Sequence, residues 1–233
     1  MSNSNDSLSK VVINWYPGHM AKTKKQIIED LKLIDIVIEV LDARIPISSQ
    51  NPDIQEYILN KKKIIILNKS DLADEKQNQN WVEYFKKKNI PAILVNSVSG
   101  KGMNQVTKAI KQIYESEHYE NKGRVGKAIR VMVLGIPNVG KSSLINRMTK
   151  KTSAKVGNKP GVTRQKQWIK VSNEIELLDT PGVLWPKLDE KGTALYLAYT
   201  GTIKDEILPT IEVRFFFATS FNGEIFTKFN YKI

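Results

Sequence analysis

The stretch that most constrains this chain is Gly135-Ile136-Pro137-Asn138-Val139-Gly140-Lys141-Ser142, which meets the pattern G-x-x-x-x-G-K-[ST] at every fixed position. The competing reading is a glycine-rich turn with a surface lysine, so its flanks decide. Before it lies Ala128-Ile129-Arg130-Val131-Met132-Val133-Leu134, an apolar, β-branched run of buried-strand type. After it, Leu144, Ile145 and Met148 have helical spacing. Strand, glycine loop and helix therefore follow in the order that a phosphate site needs. Backbone N–H groups from Asn138 through Ser143 then face an anion at a helix N-terminus. Lys141 reaches the β- and γ-phosphates, the Val139 and Gly140 amides line the cradle, and the Ser142 hydroxyl is a Mg²⁺ ligand.

A second constraint lies upstream. Ile64-Ile65-Ile66-Leu67 reads as a strand and runs into Asn68-Lys69-Ser70-Asp71. These residue types suit guanine: the Asp71 carboxylate accepts from both N1–H and the exocyclic amino group, Asn68 bridges base and phosphate loop, and the Lys69 stem covers the ring face. Adenine lacks those donors and would leave the carboxylate unpaired, which can be worth about 10⁴ to 10⁵ in selectivity. A further strand, Ala92 to Val95, ends in Asn96-Ser97-Val98-Ser99-Gly100. There the Ser97 and Val98 backbone offers N–H to guanine O6, although Val98 and Ser99 replace the usual Ala and Lys of such loops.

Two short elements follow the phosphate loop. Gly157-Asn158-Lys159-Pro160-Gly161-Val162-Thr163 is rich in turn formers and suits a switch that orders around γ-phosphate, with Thr163 as a Mg²⁺ ligand. Asp179-Thr180-Pro181-Gly182 ends an apolar strand and fits D-x-x-G: Asp179 holds the Mg²⁺ water shell, and the Gly182 N–H senses the γ-phosphate.

The remaining chain predicts a helix over Met20 to Ile34, a strand over Ile36 to Leu41 ending in Asp42-Ala43-Arg44-Ile45-Pro46, and a helix around Asn80 to Phe85. A helix over Met103 to Tyr114, a charged linker from Glu115 to Lys127 and a helix over Asp189 to Leu208 complete it. Val213 to Phe221 and Glu224 to Tyr231 flank Asn222-Gly223, a hairpin signal. A lone hairpin is marginal by itself, and two accounts compete: a true hairpin tail, or a shifted reading frame or truncation near Leu208, which is the favoured expectation.

The five elements occur in the order base, base loop, phosphate loop, switch one, switch two. With Trp15-Tyr16-Pro17-Gly18-His19-Met20, Asp42 to Pro46, Gln167 to Val171, Leu184-Trp185-Pro186 and Thr200 to Asp205, this order resembles the circularly permuted GTPases of bacterial ribosome biogenesis over about Val12 to Leu208. The resemblance implies an α/β P-loop fold, a mostly parallel sheet flanked by helices in the permuted order G4-G5-G1-G2-G3. Residues 1–12 are expected as a disordered N-terminus, 13–186 as the GTPase domain and 187–233 as the remnant of a C-terminal helical segment. GTP is the implied substrate and GDP the product, with Mg²⁺ on Ser142, Thr163 and Asp179. The implied partners are large (50S) ribosomal subunit precursors and rRNA. Ras-like enzymes place a water-orienting glutamine where Val183 follows Gly182. The catalytic set implied is thus Lys141, Thr163 and Gly182 with His19 as candidate for positioning water, or with K⁺ held at Asn138. A non-catalytic, GTP-gated RNA-binding module is the rival reading.

Composition is compatible with this. Thirty-six Lys and Arg against 24 Asp and Glu give +12, spread over several clusters, a field that favours phosphate polyanions. No Cys is present, which excludes disulfide frameworks and thiolate metal sites. No apolar run approaches membrane-spanning length and the start lacks a signal-peptide core. A cytoplasmic monomer with no membrane partner is expected.

Overall fold

The computed structural model describes residues 13–14, 19–118, 127–149, 167–183, 187–188 and 191–202, with backbone alone at 13–14, 19–23, 117–118, 187–188, 191–192 and 195. Thr163, Trp15 to Gly18, Leu184 to Pro186 and the 213–231 hairpin stretch lie outside those residues.

The central sheet has six strands: β2 (Ile36–Asp42), β3 (Lys62–Asn68), β4 (Ala92–Val95), β5 (Ile129–Leu134), β6 (Gln167–Lys170) and β7 (Ile175–Asp179). Their spatial order is β4-β3-β2-β5-β7-β6. Every neighbouring pair is parallel except β6 with β7, an antiparallel edge. Parallel strands covered on both faces need unbroken apolar runs, and β2 is buried at all seven positions. The period of two sorts its side chains. Ile36, Ile38 and Val40 join one core with α4 (Met103–His118), α5 (Lys141–Thr149) and α6 (Lys191–Tyr199). Val37 faces α1 (His19–Leu31) and α2 (Pro52–Tyr57), and Leu41 faces α3 (Glu75–Lys87). Burial of each such side chain is worth about 1.5–3 kcal/mol, and a one-residue slip of β2 would exchange the two faces.

Boundaries differ from the sequence-based expectations for identifiable reasons. The first helix ends at Leu31, three residues before the buried Ile34. The helix around Trp81 begins at Glu75, because the Asp74 side chain caps it by accepting from the Gln77 N–H at 2.9 Å. The helix from Met103 runs to His118, through the start of the expected charged linker. Helix α2 has six residues and was not anticipated; Asn51 caps it and Pro52 opens it.

The predicted helix over Asp189 to Leu208 overran. It ends at Tyr199 and closes with Gly201 at φ 69. The Gly201 N–H donates to Ala198 O at 2.9 Å and the Thr202 N–H to Leu197 O at 2.8 Å, a Schellman closure. A two-residue antiparallel pair joins β1 (Ile13–Asn14) to β8 (Lys187–Leu188), so the segment before α1 meets the segment after Gly182.

Candidate active site

All parallel strands end at one edge, where open α/β sheets bind ligands. β3 delivers Asn68, β2 delivers Asp42, β5 leads into the phosphate loop and β7 delivers Asp179. Asn68 and the phosphate loop are thus two strands apart, roughly 10 Å at normal strand spacing.

The Asn68 side chain spans that gap. It is 2% exposed, its Nδ2 donates to Val139 O at 2.8 Å, and its Oδ1 accepts from the Ser97 N–H at 3.2 Å and from Ser97 Oγ at 2.8 Å. One amide therefore locks base loop, phosphate loop and the loop after β4 together. Gly140 is a glycine for this reason: its φ is +98°, and a Cβ there would lie 2.3 Å from Asn68 Nδ2. Asp71 is exposed on a short 3₁₀ turn, Ser70–Leu72, whose Ser70 O accepts from Asn78 Nδ2 at 2.9 Å.

The Ser97 and Val98 amides have acceptors within the chain. Ser97 N–H goes to Asn68, while Val98 N–H and Ser99 N–H both donate to Asn96 Oδ1, at 2.8 and 2.9 Å. Asn96 caps its own loop. For guanine O6 to take the Val98 N–H, Asn96 must release it.

At the phosphate end, Lys141 opens α5 with its side chain buried and its Nζ donating to Ile136 O at 2.8 Å. Burial lowers its pKa to about 8, against the opposing charge of Asp179. Asp179 is fully buried at the end of β7, in register with Val133 of β5, and Thr180 Oγ1 donates to Val133 O at 2.7 Å. Gly182 rests on the loop: a Cβ would lie 2.8 Å from Pro137 N and 2.9 Å from Lys141 Nζ. The Ser142 hydroxyl and the Asp179 carboxylate are hard oxygen donors, the set that Mg²⁺ takes beside phosphates. Asn138, at φ 60, donates from Nδ2 to Gly201 O at 2.8 Å. A K⁺ there would use the amide oxygen instead.

Val183 is 1% exposed and packs with Ile27, Leu31, Ile54 and Ile58 beneath α1 and α2. Its carbonyl accepts from Asn51 Nδ2 at 2.8 Å. The residue after Gly182 is thus committed to the core. His19 is the first residue of α1, and its side chain lies outside the described residues.

Three groups have partners that the sequence-based reading did not assign. Asp42 is fully buried and paired with Arg44 and Lys69. Asn51 reaches Val183, and the Thr200 and Gly201 carbonyls receive Arg44 Nη2 at 3.2 Å and Asn138 Nδ2. Asp42 to Pro46 and Thr200 to Asp205 were visible as motifs without an assigned role, and Asn51 carried a local signal, Asn-Pro at a helix start.

A guanine-type loop locked to a phosphate loop that follows it in the chain, with D-x-x-G on the next strand, defines a circularly permuted P-loop GTPase. Residues 130–219 match the family model described as 50S ribosome-binding GTPase. A ribosome biogenesis GTPase A from Bacillus licheniformis is 51% identical over 200 residues, 85% of this chain and 71% of that protein. A probable ribosome biogenesis GTPase A from Mycoplasma pneumoniae is 38% identical over 209 residues, 88% and 73% of the two chains. The crystal structure of GNP-bound YlqF from T. maritima superimposes with a TM-score of 0.64 at 30% identity, covering 86% of this chain and 76% of that one. The chain belongs to the ribosome biogenesis GTPase A family.

Proposed function

We propose that this GTPase serves assembly of the large ribosomal subunit, binding precursor particles and rRNA in a manner set by its nucleotide. Residues 13–186 act as the GTPase body and 187–233 as the segment that reads its state. The observation that carries the nucleotide part is the Asn68 amide, which holds base-reading and phosphate-reading loops as one unit. The relatives' names and the net charge of +12 support the ribosomal part.

In the reaction, Asp71 accepts from guanine and the Val139 to Ser143 backbone cradles the phosphates. Lys141 leaves Ile136 O for the β- and γ-phosphates, and the Gly182 N–H donates to the γ-phosphate. Ser142 and Thr163, with Asp179 through water, would hold Mg²⁺, which would supply charge neutralisation at those oxygens. With Val183 buried, the attacking water is oriented by His19 from the N-terminus of α1. A K⁺ on Asn138 would add charge beside the phosphates.

The test is GTP turnover with and without large-subunit precursors. Basal turnover should be slow, and precursors should raise it by about 10³ or more, the range that a supplied stabilising group contributes. Turnover indifferent to precursors would overturn the ribosomal role. His19→Ala should abolish stimulated turnover while GTP still binds. Equal rates in K⁺ and Na⁺ would remove the ion from the mechanism.

A further inference from the structure

We infer that Asp42 is a positioning residue of the guanine site, its buried carboxylate pinning the Lys69 ammonium so that the lysine stem is held ready for the base. The inference rests on the guanine-site reading above and adds to it a residue outside the base-reading motif.

Asp42 ends β2 in direct register with Asn68 at the end of β3. Its side chain is fully buried, yet it accepts four hydrogen bonds. Oδ1 takes the Arg44 backbone N–H at 3.1 Å and Arg44 Nε at 2.9 Å; Oδ2 takes Arg44 Nη2 at 2.7 Å and Lys69 Nζ at 2.9 Å. Its own N–H donates to Ser49 Oγ at 3.1 Å. A carboxylate buried this deeply persists only when it is paired and fully hydrogen-bonded. The Arg44 fork is planar and bidentate, so it fixes the direction in which Oδ2 faces Lys69.

Lys69 is constrained at both ends. Its backbone is left-handed, at φ 59, between Asn68, which is locked to the phosphate loop, and the turn that carries Asp71. At the other end Nζ is tied to Asp42. A lysine stem is flexible when its ammonium is loose. Tied at both ends, it becomes a fixed apolar wall, and affinity gained from such preorganisation needs no new contact. Arg44's pKa is raised first by its hydrogen bond to Asp42, against burial, with the charges of Asp42 and Asp71 adding to the rise.

The experiment is a double-mutant cycle on the full chain, with GDP affinity read by calorimetry and folding read by thermal melts. GDP keeps γ-phosphate and hydrolysis out of the measurement. Asp42→Asn should weaken GDP binding about tenfold in the natural background and less than threefold in a Lys69→Met background, since there is then no ammonium to position. If Asp42→Asn does not fold, Asp42→Glu replaces it in the same cycle, keeping the charge but displacing the anchor. Equal losses in both backgrounds would mean that Asp42 supports the fold and nothing more, and would overturn the inference. A natural protein that binds no GDP would overturn the guanine-site reading itself; one that binds GDP with an additive cycle overturns only the role of Asp42.

Discussion

Lys141 shows how one residue's environment sets a measurable property of the whole site. Burial lowers its pKa to about 8 while Asp179 pulls the other way. In the free protein Lys141 is an ammonium below that pH and a neutral amine above it. Bound phosphates stabilise the ammonium, so nucleotide restores the proton that burial expels. Binding of Mg-GDP at pH 8 should take up roughly half a proton, rising towards one by pH 9 and vanishing by pH 6.5. Calorimetry in buffers of different ionisation enthalpy measures this. Lys141→Arg, whose guanidinium stays charged, should bind without the uptake, and an uptake that survives in Lys141→Arg would assign the proton elsewhere. The identity of Lys141 was legible in the sequence because its motif is local. Its burial was not, since the cover comes from Gly182 and Asp179, some forty residues on. The same holds for Ser97 and Val98, whose residue types were visible but whose amides are claimed by the side chains of Asn68 and Asn96.

The central strands were legible as elements because each is an apolar run that only a sheet covered on both faces can bury. Helix α2 was not, having six residues and a single fully apolar contact, Ile54. Its importance is tertiary. Asn51 caps it by accepting from the Asp53 N–H at 3.0 Å, and with its Nδ2 holds Val183 O, while Lys24 of α1 pairs with Asp53. The residue after Gly182 is therefore clamped to the two helices, one of which begins at His19. Asn51→Ala removes the cap, worth about 0.5–2 kcal/mol, and strands a buried carbonyl, at about 1–3 kcal/mol. Asn51→Asp keeps the cap acceptor and loses the donor. Both variants should weaken GTP binding by about tenfold, roughly 1.4 kcal/mol, with GDP binding unchanged, because only GTP reports on where Gly182 stands. Matched losses for GTP and GDP would show that the clamp supports the fold without setting the γ-phosphate sensor.

At the scale of the molecule, the permutation places α6 downstream of Gly182, and the structure returns its end to the nucleotide site. A helix terminus leaves carbonyls without intrahelical donors. Here the Schellman closure satisfies the Leu197 and Ala198 carbonyls, and the donors that meet the carbonyls beyond these, of Thr200 and Gly201, are Arg44, from the base end, and Asn138, from the phosphate loop. Thr202 is fully buried behind them. No local pattern in the sequence could announce this, because the partners are 156 and 63 residues away. The end of α6 thus touches both the base end and the phosphate loop. Arg44 holds the Thr200 carbonyl and Asn138 the Gly201 carbonyl, so nucleotide that steadies the phosphate loop should tighten the second of these contacts beside the preformed Lys69–Asp42–Arg44 cluster. Hydrogen exchange at the Gly201 and Thr202 amides should slow by about tenfold on GDP binding, a local stabilisation of roughly 1.4 kcal/mol. Asn138→Ala should cut that protection by more than half while α3, packed on the opposite face of the sheet, exchanges as before. Protection of equal size in the natural chain and in Asn138→Ala would mean that the phosphate loop is not the route by which nucleotide reaches α6, leaving Arg44 and the base end to carry it alone.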